Sequence, residues 1–180
     1  MTHFKMKKTN AILRDANPRK ENHGEEKVLA TDLSLQVVMP GTILTELTDT
    51  EAAWEFFCWD QSTEEVRPNG VDHFALSAQF DAHVLHVSIG DKMMTFEDVT
   101  LKKFNAKPIE GKRVEMTFQA QVYPTKEQLA DLAEMMMEQV KIKIDAPRQQ
   151  DLVEETKAKA KVMDKILIVG DQVLPAISPN

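Results

Sequence analysis

The chain has 180 residues, 42% hydrophobic and 28% charged, with a formal net charge of −7. That is enough for one domain with a substantial core and short of the length that usually forces two. No run approaches the roughly 20 apolar residues that span a bilayer, Lys5, Lys7 and Lys8 precede no signal-peptide apolar region, and the single Cys58 excludes an internal disulfide and any multi-cysteine zinc site.

Charge is unevenly spread. Residues 1–40 carry 7 Lys/Arg against 5 Asp/Glu, residues 41–100 carry 2 against 12, and residues 101–180 carry 13 against 12, so the excess negative charge lies in the middle third. Such a surface repels nucleic-acid backbones and attracts basic partners; in its plainest role it keeps the protein soluble.

In chain order, residues 3–13 read as an edge strand that Asn17 and Pro18 break. Gly24 then makes a turn, and Leu33, Leu35 and Val37 alternate with Ser34 and Gln36 up to Pro40, the period of a strand. Residues 42–59 read as one or two short helices, the first with Ile43, Leu44 and Leu47, the second started by Thr48 or Thr50. The run Trp54 to Trp59, WEFFCW, is too apolar for a helix with one buried face; it is either sandwiched in the core or covered by a partner or ligand. A polar loop with Arg67, Pro68 and Gly70 follows. Two more strands run from Val71 to Phe80 and from Asp81 to Ile89, with Gly90 and Asp91 turning the chain.

The most legible stretch runs from Thr95 to Ile144. Phe96 to Phe104 has the composition of a strand, and Pro108 and Gly111 punctuate a loop. Val114, Met116, Phe118, Ala120 and Val122 then alternate with Glu115, Thr117, Gln119 and Gln121. Thr125 and Gln128 have the spacing of a capping box, and Leu129, Leu132, Ala133 and Met136 form one face of a helix. Val140, Ile142 and Ile144 alternate with Lys141 and Lys143, a further strand. The order of elements predicts an α+β domain over residues 3–145, a mainly antiparallel sheet covered by two or three helices.

Pro147 ends the last strand, and residues 146–180 read as a C-terminal tail. Asp151 to Gly170 opens with helical composition and Glu-to-Lys pairs and closes in the apolar run Ile166 to Val169. A tail of this kind is expected to dock on the domain or on a second copy of the chain.

The run Glu21 to Leu35, ENHGEEKVLATDLSL, together with Phe96 to Phe104, FEDVTLKKF, and the block from Pro108 to Pro124, resembles a family of small early-region bacteriophage proteins. The resemblance covers residues 4–145 and implies a phage origin and a shared fold only; the expectation of a cytoplasmic site, in a bacterial host cell, comes from the missing apolar span and signal-peptide region. The resemblance brings no activity. Residues Thr48 to Ala82 depart from the family pattern, and the segment after Ala146 is additional.

No catalytic signature is visible. His83 and His86 differ by three positions and fall on opposite faces of a strand, so they do not jointly hold a metal. Cys58, between Phe57 and Trp59, reads as a buried, inert thiol. His23, Glu25 and Glu26 sit in a turn where solvated polar residues are ordinary, and no glycine cluster cradles a phosphate. Recognition is therefore the expected activity, with no cofactor. Trp54, Phe57 and Trp59 near Arg67 have the chemistry of a pocket that stacks a flat, nucleotide-like ligand and meets its phosphate with a guanidinium; their plainer role is an aromatic core cluster with a surface arginine. Glu64, Glu65 and Asp72 mark the acidic face for a basic partner. The expectation is a non-enzymatic, possible counter-defence phage accessory protein that binds a host protein or sequesters such a ligand. The alternative, a single-stranded nucleic-acid-binding accessory protein, would use Lys102, Lys103, Phe104, Lys141 and Lys143.

If the tail docks, truncation after Asp145 lowers the melting temperature in a thermal scan; an unchanged value would reject docking.

Overall fold

The structure is a computed structural model that describes residues 4–23, 26–48, 50–60, 65–66 and 73–147. Its strands are β1 (Met6–His23), β2 (Glu26–Pro40), β3 (Trp59–Asp60), β4 (Glu65–Val66), β5 (Phe74–Leu76), β6 (Phe80–Ile89), β7 (Lys92–Ile109), β8 (Arg113–Val122) and β9 (Gln139–Asp145). Three helices accompany them: α1 (Ile43–Thr48), α2 (Ala53–Cys58) and α3 (Lys126–Glu134). Residues up to Ala146 form one compact unit, with a division from the following segment at Pro147. The expected docking of the tail concerns residues outside those described.

The large sheet has the order β5-β7-β6-β9-β1-β2-β8, and β7 pairs again with β8. Six antiparallel strands thus close into a barrel, with β5 extending one edge of β7. This overturns the expected α+β layering, in which helices cover the apolar face of an open sheet. The strands do have one apolar face each, but the sheet curls until that face meets itself, and no helical layer is needed to bury it.

Bends make the closure possible. Register shifts interrupt β1 between Leu13 and Asp15, β6 between Phe80 and Leu85, and β7 between Lys102 and Asn105. Ala82, Asp98 and Lys103 take positive φ within β6 and β7. A bulge increases local twist and bends the strand that carries it, which lets a long strand change partners as it rounds a barrel. β7 uses this fully: its first half pairs with β6 and its second half pairs with β8 across the opposite edge.

The sequence alternation becomes the inside–outside alternation of the barrel. Leu33, Leu35 and Val37 of β2, Leu85 and Val87 of β6, Met116, Phe118 and Ala120 of β8, and Val140, Ile142 and Ile144 of β9 are all buried. Phe104 and Phe118 stack at 5.3 Å between ring centroids, and Phe4 joins them through an edge contact with Phe104 at 5.7 Å. Each such ring pair adds about 0.5–1.5 kcal/mol beyond its area.

β1 runs straight through Asn17 and Pro18, where the sequence suggested a break. The ladder with β9 ends at Ile12, so at Pro18 only the β2 side of the strand is paired. Proline is tolerated where one edge of a strand needs no N–H.

α3 carries the expected capping box: Thr125 Oγ1 accepts from the Gln128 N–H at 3.2 Å and Gln128 Oε1 from the Thr125 N–H at 2.9 Å. Its inner face is Leu132 with Met135; of the other residues expected there Leu129 is half-buried, Ala133 is exposed and Met136 is 40% exposed. For Met136 the difference follows from the helix end. The last turn closes at Met135, and Met137, at φ 65, leads the chain into β9.

α1 and α2 connect β2 to the β3–β4 ribbon. Ile43, Leu44 and Leu47 of α1, and Ala53, Trp54 and Cys58 of α2, are buried in the common core. Of the two states open to the WEFFCW run, Trp54 and Cys58 take the core one. The Trp54 ring lies over Gly41, where an added Cβ would come within 2.3 Å of ring carbon Cε3. The Gly41 N–H in turn donates to the Lys112 carbonyl at 2.8 Å, which ties the start of the helical segment to the β7–β8 turn.

Gly41→Ala is therefore expected to lower stability in urea denaturation by about 1–3 kcal/mol, the usual range for overpacking; a change within about 0.5 kcal/mol, the scatter of ordinary surface substitutions, would show that the indole moves aside freely.

Candidate recognition surfaces

Because side chains fill the barrel, chemistry that meets solvent is carried on its outside and on its loops. The structure places the sequence-predicted residues unevenly. Trp54 is 3% exposed and engaged with Gly41, and Phe57 is half-buried against the same core. Trp59 begins β3, whose backbone pairs with β4 as Trp59 to Val66 and Asp60 to Glu65. One short ribbon thus brings together the end of the aromatic run and Glu65 of the acidic trio. Arg67, Glu64 and Asp72 lie outside the described residues.

Cys58 is fully buried, and burial together with the nearby Glu55 carboxylate pushes its thiol up to about 11. At neutral pH it stays protonated, and the thiol rather than the thiolate is a poor nucleophile. The histidines separate as their spacing required. His83 points inward at 2% exposure, its Nδ1 2.8 Å from the Asp81 carbonyl oxygen. His86 points outward, with Nδ1 2.9 Å from Thr95 Oγ1 and Nε2 3.1 Å from Asp145 Oδ2. Hydrogen bonding from Lys143, aided by His86, holds the Asp145 carboxyl below its ordinary range.

The set of basic and aromatic residues proposed for single strands is divided. Phe104 faces the core and is fully buried, so it offers no stacking surface. Lys102 reaches Asp32 at 3.2 Å and Gln121 Oε1 at 2.7 Å. Lys103 sits exposed at a bulge with φ 55. Lys141 and Lys143 remain exposed on the outer face of β9.

One cluster escaped the sequence reading. On the outer face where β1, β2, β8 and β7 run side by side, Asp32 takes an ion pair from Arg19 on one side and from Lys102 on the other. Arg19 also pairs with Glu21 at 2.6 Å, and Gln121 Nε2 donates to Glu21 Oε2 at 3.3 Å and lies 3.0 Å from the Tyr123 hydroxyl. The Asp32 side chain keeps only 18% of its exposure. The members are distant in sequence, 13 positions between Arg19 and Asp32 and 100 between Glu21 and Gln121. The one local sign was polar residues on the outward phase of four strands. The cluster fastens the β1–β2 hairpin where it projects past β8, since the β2–β8 ladder begins only at Thr31.

Comparison with protein-family models, with curated proteins and with solved structures finds no match to this chain. Among the described residues no helix is long and apolar enough to cross a membrane.

Asp32→Asn leaves Arg19 and Lys102 without their shared carboxylate at a mostly buried position and is expected to cost about 1–2 kcal/mol in chemical denaturation, below the full buried-pair penalty because both cations retain some solvent; a loss under about 0.5 kcal/mol would reduce the cluster to surface ornament of the kind single exposed pairs provide.

Proposed function

We propose that this chain is a non-enzymatic accessory protein of a bacteriophage that acts in the host cytoplasm by binding a host protein with the outside of its barrel. The observation that carries the reading is the solid interior. Leu13, Leu33, Leu35, Leu85, Leu101, Phe104, Phe118 and Met116 meet inside the barrel at 0–1% exposure. Barrels that enclose a ligand need a wider or emptier lumen, so recognition here is a matter of surface. The phage resemblance supplies the setting.

Charge supports a basic partner. Glu46, Glu51, Glu55, Asp81, Asp91, Glu97 and Asp98 are exposed along residues 41–100, and a field of one sign steers an oppositely charged partner. Glu64, Glu65 and Asp72 belong to the same acidic segment. The ligand-sequestering form of this reading depends on Trp59 and Arg67, because Trp54 is already committed to Gly41. Host-protein binding is therefore the favoured form.

Native mass spectrometry of the protein purified from host cells tests the two forms together. The expected spectrum shows the chain with a host polypeptide in fixed stoichiometry, and the complex weakens when Glu64→Gln, Glu65→Gln and Asp72→Asn are combined. A bare mass overturns host-protein binding, and so does an extra few hundred daltons that leaves on denaturation; the second result places a captured small ligand at Trp59 and Arg67.

A further inference from the structure

The outer face of β9 and β1 has a charge opposite to that of the chain as a whole. On β9 Val140, Ile142 and Ile144 point inward, and the intervening Lys141 and Lys143 are exposed. β1 lies alongside, antiparallel, with Met6 opposite Ile144, Thr9 opposite Ile142 and Asn10 opposite Lys141. The register shift between Met6 and Thr9 therefore sets Lys7 and Lys8 against Lys143. Lys5, just before β1, is exposed as well, as are Lys7 and Lys8. On the other side of β9, His86 stands opposite Lys143 and Ser88 opposite Lys141.

Five lysines from two segments 130 or more positions apart are thus gathered on adjacent strands; the carboxylates beside them are Asp145, ion-paired to Lys143 at 2.6 Å, and, further along β1, Asp15 opposite Ser34. The flanking strands add none to this face: β6 contributes His86 and Ser88, and β2 contributes Ser34 and Gln36. Among the described residues Lys5, Lys7, Lys8 and Lys141 make no ion pair. Like charges on neighbouring strands repel and destabilise a sheet, a cost that salt screens only beyond about 8 Å. A polyanion laid along the strands removes it.

The rest of the face narrows the choice of polyanion. A protein interface needs an apolar, often aromatic centre, but the apolar side chains here are scattered: the half-buried Ile12, Val38 at 44% exposure on the neighbouring β2, and, at the margins, Met137 before β9 and Met93 opposite Ser88. Asn10 and the amide nitrogen of Gln36 instead offer hydrogen bonds of the kind that accompany lysine on phosphates, whereas His86 and Ser88 are engaged with Thr95, Asp145 and the Lys141 carbonyl. The described phenylalanines whose side chains are placed (Phe4, Phe57, Phe80, Phe96, Phe104 and Phe118) pack in or against the core, so base stacking has no platform here.

We propose that the outer face of β9 and β1 binds the phosphate backbone of nucleic acid, without regard to base sequence. The inference is independent of the host-protein reading, which uses the carboxylates of residues 41–100.

Fluorescence anisotropy of the full chain with a labelled oligothymidine strand and with a duplex of equal length tests it. Binding is expected for at least one of the two, and its logarithm should fall with the logarithm of salt concentration at a slope of about −3 to −4, four to five phosphates at roughly 0.7–0.9 each. Which of the two binds more tightly identifies the physiological form. Lys7→Glu with Lys141→Glu, both exposed and outside any ion pair described, should weaken binding more than about tenfold, whereas Lys126→Glu on α3 should leave it within about twofold, since only the first pair lies at the phosphate contacts. No binding to either probe at low salt, or equal weakening by the α3 control, overturns the proposal. So does displacement by polyglutamate as effective as by unlabelled oligonucleotide, which would make the strip a contact for acidic protein.

Discussion

The ladder between β7 and β8 turns a sheet into a barrel, and most other features of the protein follow from it. From Thr100 opposite Gln121 to Ile109 opposite Arg113, it joins strands that already sit at the two sides of the ring. Once it forms, inward side chains from six strands share one core. No helix has to cover them, and on the ring the edges that would otherwise invite aggregation are paired. The bulges in β1, β6 and β7 are the local means of closure: without extra twist at these points a single strand could not pair with β6 along one half and β8 along the other.

Closure also sets the task of the remaining elements. α1, α2 and α3 do not form a layer; each contributes a few buried residues to the barrel's own core, among them Leu44, Trp54 and Leu132. The contact of Trp54 with Gly41 joins the helical segment to the β7–β8 turn through the Lys112 carbonyl, so the closing ladder and the helices stabilise one another. The β1–β2 hairpin outruns the ring, and the Arg19, Asp32 and Lys102 cluster holds its base. A filled interior leaves the side chains that meet solvent on the outside.

On that outside, charge is segregated. Exposed carboxylates dominate residues 41–100, whereas lysines face solvent from β9 and β1. The formal net charge of −7 averages over both, and at a Debye length near 8 Å a partner responds to the local field rather than to the sum. A protein with surface charge segregated in this way has the means to hold two different partners.

What the sequence determined by itself is local. The period-two alternation of Val114 to Val122 and of Val140 to Ile144, the capping box of Thr125 and Gln128, and the opposite directions of His83 and His86 all depend on neighbours within a few positions, where backbone geometry dictates which side chains share a face. Alternation states that a strand has one buried face; it does not state what buries it. Whether that face meets a helix or the far wall of a closed sheet was decided only in the tertiary structure, by bulges at Ala82, Asp98 and Lys103 that no glycine announces and by the pairing of β7 with β8 on its second edge. The same holds for the surfaces. The ion pairs of Asp32 and the lysine strip of β1 and β9 join residues up to 130 or more positions apart, and only the register of paired strands, a long-range property, brings them within reach of one another.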